Sequence, residues 1–161
     1  MKRKLFVMLL CLFLLGACYN LWTIRPVNII YAYSEEGITV TIVVDHMPWT
    51  DRDKIAWYLA RRDEFKKKYP YYGNIWQSYY ITDISDGFTN YEKSPHEDLF
   101  CIPEIKSDDN CLVKNYSLIV YEDPDSDTRF FTDSEMEYRL TSDTKIVPVL
   151  QKKSWGVNTG G

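Results

Sequence analysis

The run from Leu5 to Ile24 constrains this chain more than any other stretch. Asn20 is its only strongly polar residue, and about 20 apolar residues in a row are enough to span a bilayer. Lys2, Arg3 and Lys4 precede it, and a charged start followed by an apolar run has the form of an export signal. Two fates are open to such a segment. In one, Leu15-Gly16-Ala17-Cys18 is a lipobox, the signal ends at residue 17, and Cys18 carries lipid. In the other, residues 1–25 stay as an uncleaved transmembrane anchor, with Trp22 at the far interface and Arg25 closing the span. The excess of Lys and Arg before the run then holds the N-terminus in the cytoplasm. A lipoprotein usually leaves its cysteine through a polar tether, whereas here apolar and aromatic residues continue past Cys18. The preferred expectation is a single-pass inner-membrane protein with its C-terminal domain in the periplasm. A lipoprotein anchored by Cys18 is the alternative.

Of the 161 residues, about 135 follow this segment, room for one domain with one modest core. The expected division is an anchor over 1–25, a single domain over 26–150 and a flexible tail over 151–161. Aromatic residues make up 16% of the chain, which marks a folded domain with large side chains to bury and not a disordered one. An exported domain meets an oxidising compartment, so Cys101 and Cys111 are expected to pair. Nine residues lie between them, and a loop of that length contributes roughly 2–3 kcal/mol when closed. A metal site would need more ligands at matching spacing, but beyond these cysteines the domain has only His46 and His96 and no Cys-x-x-Cys. Neither a metal nor a cofactor is expected.

Along the chain, Val27 to Tyr33 and Ile38 to Val44 read as strands joined by the hairpin-length turn Ser34-Glu35-Glu36-Gly37. In the second run Ile38, Val40, Ile42 and Val44 alternate with Thr39 and Thr41, as in a half-buried antiparallel strand. One long helix is predicted from Thr50 to Tyr69. Thr50 caps it, Asp51 and Asp53 sit at the positive end of its dipole, and Pro70 stops it. Ile55, Tyr58, Leu59, Phe65 and Tyr69 fall on its apolar side. Lys54, Trp57, Arg61 and Lys68 fall opposite. Further strands are predicted within Tyr71 to Ile84, then at Ser117 to Glu122, Thr128 to Thr132, Glu135 to Thr141 and Lys145 to Leu150, with a turn at Asp86-Gly87. The order implies an α+β fold: an antiparallel sheet of short strands with one main helix packed on one face.

Catalytic motifs are absent from this sequence, and no catalytic residue is assigned. Asp45-His46 has the residue types of an acid–base relay, but neighbours within a strand point to opposite faces. Asp123-Pro124-Asp125-Ser126-Asp127 imitates the start of a calcium loop, yet Thr128 stands where that loop needs glycine and Ser134 where it needs the bidentate Glu, so a hairpin turn is the simpler reading. Charge carries more information. Between Asp83 and Asp143 there are 16 acidic and five basic residues, whereas Asp51 to Lys68 has seven basic and four acidic. The acidic balance disfavours nucleic acid and suits a partner with a basic surface.

The chain resembles the enterobacterial putative membrane protein family known as domain of unknown function 943. The resemblance rests on Trp22-x-x-Arg25-Pro26-Val27 after an apolar anchor, on Pro48-x-Thr50-Asp51, Lys54-Ile55 and Trp57-Tyr58-Leu59, and on Lys68-Tyr69 and Asp86-Gly87-Phe88. Cys101 and Cys111 around a charged loop with Lys114 complete it. The similarity runs from the anchor to about Val147 and departs from the family's plain anchor at Cys18. It implies a single-pass exported domain and brings no activity with it.

Two functions compete on these residues. One is a membrane-anchored protein-binding module, such as an immunity-type guard against an incoming toxin, contacting its partner through Lys54, Trp57, Arg61 and Lys68. The alternative is an envelope enzyme or ligand-binding lipoprotein using carboxylates around Asp83-Asp86 and Asp123-Asp127.

Overall fold

The computed structural model describes residues 2–70, 76–84, 87–141 and 144–149. Helix α1 is Lys2–Ile24. Its stretch Arg3–Leu21 is long and apolar enough to cross a membrane and packs nothing of the domain along most of its length. The domain begins with a hairpin of β1 (Ile29–Glu35) and β2 (Thr39–Val44). Its turn places Glu36 and Gly37 in the left-handed region, at φ of 50° and 74°, a conformation that glycine adopts without cost. Helices α2 (Asp51–Leu59) and α3 (Arg62–Lys68) follow, and then β3 (Gln77–Asp83). A small hairpin of β4 (Leu99–Cys101) and β5 (Cys111–Val113) precedes β6 (Tyr116–Glu122), β7 (Thr128–Thr132), β8 (Glu137–Leu140) and β9 (Ile146–Pro148).

Seven strands form one sheet in the order β1-β2-β3-β6-β7-β8-β9. Alternation along each strand sends Val40, Ile42, Val44, Tyr79, Ile81, Leu118, Val120 and Phe130 to one face, where Ile55, Tyr58 and Phe65 close over them. Leu59 and Tyr69 pack at the margin of this core. The α+β class and the apolar side of the helical segment are as expected. Thr50 caps α2 from an extended backbone, its Oγ1 accepting from the Asp53 amide at 3.2 Å.

Two features depart from the expected pattern. The sheet is mostly antiparallel, but β2 and β3 run parallel from Thr39 opposite Ser78 to Val44 opposite Asp83. The connection between them carries both helices back along the sheet, the length that a parallel crossover needs. The expected single helix is also divided: Arg61 N bonds to Tyr58 O at 2.9 Å, one residue short of the α-helical partner, and Arg61 leaves helical geometry at φ −116° and ψ 0°. The tightened turn re-aims α3 so that Phe65, its one buried residue, lies 6.0 Å ring to ring from Trp57, Tyr58 and Tyr79.

On the other sheet face the β4–β5 hairpin covers only the β1–β2 half, burying Ile102 and Leu112 against Val43. Tyr31 OH donates to Glu104 at 2.9 Å, and the Phe100 ring lies 6.4 Å from Tyr33. Cys101 and Cys111 are directly opposed in this hairpin and disulfide-bonded. Replacing both with alanine is expected to cost roughly 2–3 kcal/mol in denaturant unfolding of the full chain in micelles, with amide-exchange protection lost first in β4 and β5. The expected turn at Asp86, the residue 71–75 part of the third-strand stretch, the Trp22 ring and the 151–161 tail lie outside the described residues.

Candidate functional site

Three regions hold the residues that the sequence brought forward: the end of the parallel strand pair, the outer side of α2 and α3, and the half of the sheet that the small hairpin leaves open.

At the carboxyl ends of β2 and β3, a cleft of about 440 Å³ is lined by Asp45, His46, Trp49, Lys54, Asp83, Ser117 and Asp133, with Met47 and Pro48. Crevices at this end of parallel strands are the usual ligand position in α/β sheets. The sequence reading that Asp45 and His46 cannot meet is corrected here, because β2 ends at Val44 and the chain bends at Asp45. The strand alternation no longer applies, and His46 Nδ1 lies 2.7 Å from Asp45 Oδ1. Asp45 also accepts from Asn28 N at 3.0 Å and Asn28 Nδ2 at 2.9 Å, and pairs with Arg25 at 3.5 Å. Burial alone would raise its carboxyl, but the Asn28 bonds and His46 outweigh that and hold it at about 2. His46 is 6% exposed. Ser117 Oγ donates to Asp83 Oδ2 at 3.4 Å, and Lys54 Nζ is ion-paired with Asp133. These bonds tie the residue after α1 to the end of β2, and α2 to the β7–β8 turn. Asp51 belongs to the same joint, accepting from Tyr138 OH at 2.9 Å and from Ser134 Oγ.

The four residues expected to share an exposed stripe are separated. Trp57 is 7% and Lys54 5% exposed, while Lys68 is exposed. Arg61 lies over the Trp57 ring at 4.8 Å and donates to Trp57 O at 3.3 Å. The helical projection assumed a single contact side, but α2 is enclosed on two. Asp133 reaches Lys54 from the sheet, and Pro26, Val27, Pro48 and Arg61 surround Trp57 in a hollow of about 270 Å³.

The two acidic clusters lie at opposite ends of the sheet. Asp83 ends β3, whereas Asp123 follows Glu122, which pairs with Gln77 at the start of β3. Six residues of strand correspond to about 20 Å. Asp123 accepts from Asp125 N at 3.0 Å and Ser126 Oγ at 2.8 Å, closing a hairpin turn between β6 and β7. Among the described residues no three His, Cys, Asp or Glu side chains converge as metal ligands.

Sequence reasoning did not single out the open half of the sheet. Tyr80, Ile119, Tyr121, Arg129, Phe131 and Arg139 share the face turned away from the helices, as the β3–β6, β6–β7 and β7–β8 registers require. Tyr121 meets Trp76 at 6.1 Å and Phe131 at 5.5 Å, both edge to face, and Arg129 stacks over it at 5.6 Å. Tyr80 meets Tyr116 at 5.0 Å. Trp76 is 48% exposed. The signal was present as Tyr80, Tyr121, Arg129 and Phe131 at alternate strand positions, but only the strand order places them side by side.

An apolar N-terminal helix fused to a small disulfide-bonded α+β domain defines a single-pass membrane-associated protein. The chain belongs to the family described as enterobacterial putative membrane protein (DUF943), which matches residues 1–150. Among curated proteins and among solved structures, none matches it.

Proposed function

We propose that this is a membrane-anchored periplasmic binding module whose protein partner docks on the open sheet face around Trp76, Tyr121, Arg129 and Phe131. The single observation that carries it is that cluster of rings and a stacked guanidinium, with Trp76 and Arg129 exposed and Tyr121 and Phe131 half-buried. Trp, Tyr and Arg dominate binding energy at protein interfaces, because they bury large area with few rotatable bonds. The contact surface thus moves from the helix stripe to the opposite side of the sheet. Export is supported by the charges before α1 and by the Cys101–Cys111 bond, which an oxidising compartment maintains. A guard against an incoming toxin is the form of this function in which that toxin is the partner.

The test is site-specific photocrosslinking in living cells, with a benzophenone amino acid at Tyr121 or, as control, at Lys67 on the helical face. A discrete adduct at Tyr121, absent at Lys67 and lost with Trp76→Ala, is the expected result. Equal patterns at both positions would refute the assignment of the face. Palmitate labelling of the same cells distinguishes the two anchor forms: labelled protein of reduced mass means a lipidated Cys18, and unlabelled protein of full mass means the uncleaved helix.

A further inference from the structure

We infer that the loop from Met47 to Thr50 is a second membrane contact, with the Trp49 ring seated in the headgroup layer of the bilayer that holds α1. Tyr19 lies inside the membrane-length stretch Arg3–Leu21. Its ring is 6.1 Å from Trp49, and its hydroxyl donates to Asp53 Oδ2 at 3.2 Å. The end of α1 at Ile24 is five positions beyond Tyr19, a rise of about 7–8 Å. The domain therefore overlaps the last turn and a half of the anchor instead of hanging from it on a tether. Arg25 extends the same joint by pairing with Asp45.

This overlap fixes the depth of the loop. The Asp53 carboxylate that Tyr19 touches cannot lie in hydrocarbon without a heavy desolvation cost, so Tyr19 marks the boundary between acyl chains and headgroups. Trp49, at the same level and 59% exposed, is then at the interface, where an indole keeps its apolar ring and its N–H both satisfied. A lipidated Cys18 would leave this depth unchanged, since it adjoins Tyr19 in the chain. Charge contributes little to the contact: Asp45 to Lys54 carries three carboxylates against two cations, so the ring and not the lipid charge drives the seating.

The experiment places a fluorescent amino acid at position 49, or as control at Ser126 in the far β6–β7 turn, in the full chain reconstituted into phosphatidylcholine nanodiscs. Nitroxide-labelled lipid is titrated in at low and at high salt. Strong quenching at 49 with little at 126, unchanged by salt, is expected. Quenching at 49 no greater than at 126 would overturn the contact, and quenching at 49 that high salt abolishes would overturn its ring-driven form. Unaltered circular dichroism in both labelled chains verifies that each is folded, Trp49 being 59% exposed. The outcome is independent of the crosslinking at Tyr121, which probes the other side of the sheet.

Discussion

Glu122→Ala is expected to destabilise the domain by about 3–5 kcal/mol, the range for removing one partner of a buried ion pair. Glu122 is 5% exposed at the end of β6, beneath the helices. Its Oε1 accepts from Tyr58 OH at 3.0 Å and from Arg62 Nε at 2.6 Å. Its Oε2 accepts from Arg62 Nη2, from Lys66 Nζ at 3.1 Å and from Thr128 Oγ1 at 3.2 Å. Deleting the carboxylate takes its partner from the buried Tyr58 hydroxyl and removes one polar link between both helices and the sheet. Denaturant unfolding of the full chain in micelles measures the loss. The same group governs the acid limb of stability. Burial pushes its carboxyl up, but the Arg62 and Lys66 contacts outweigh that and hold it below its ordinary 4.5. A carboxyl depressed in the folded state contributes stability above its unfolded value and loses it as pH falls through the folded one. The wild type should therefore lose stability below about pH 4.5, and Glu122→Gln should flatten that slope. An equally steep limb in Glu122→Gln would assign the acid sensitivity to other carboxyls.

Phe65→Ala is expected to cost about 3–5 kcal/mol, the range for emptying a buried aromatic site. Helix α3 has only seven residues, too few to persist alone, and Phe65 is its one buried side chain, 2% exposed. Removing the ring opens a void between Trp57, Tyr58 and Tyr79. Helix α2 keeps Ile55, Trp57 and Tyr58 in the core whereas α3 loses its one buried side chain, so hydrogen exchange should show α3 opening more than α2. Uniform opening of both helices would mean that they fold as one unit despite the break at Arg61.

Local signals in the chain were sufficient for most elements. The Thr50 cap and the alternation from Thr128 to Thr132 act within a few residues and their elements lie where these signals put them, whereas β1 runs on through Glu35 and its turn falls two residues later than Ser34–Gly37. The helix break at Ala60–Arg61 has no comparable mark, since no Pro or Gly stands there. The parallel pairing of β2 and β3 is equally silent, because an alternating strand reads the same in either direction.

The sequence by itself determined the membrane-length helix, the disulfide and the α+β class, because hydrophobic length, a cysteine pair after an export-type segment and period-two alternation are properties of a chain before it folds. Only the tertiary structure decided which side chains form a site. Chain direction at the end of β2 brought Asp45 to His46, enclosure on two sides buried Lys54 and Trp57, and strand order gathered Trp76, Tyr121, Arg129 and Phe131. The burial and the ring cluster depend on neighbours far apart in the chain, whose approach is set by packing and not by spacing, and the Asp45–His46 contact depends on where β2 ends.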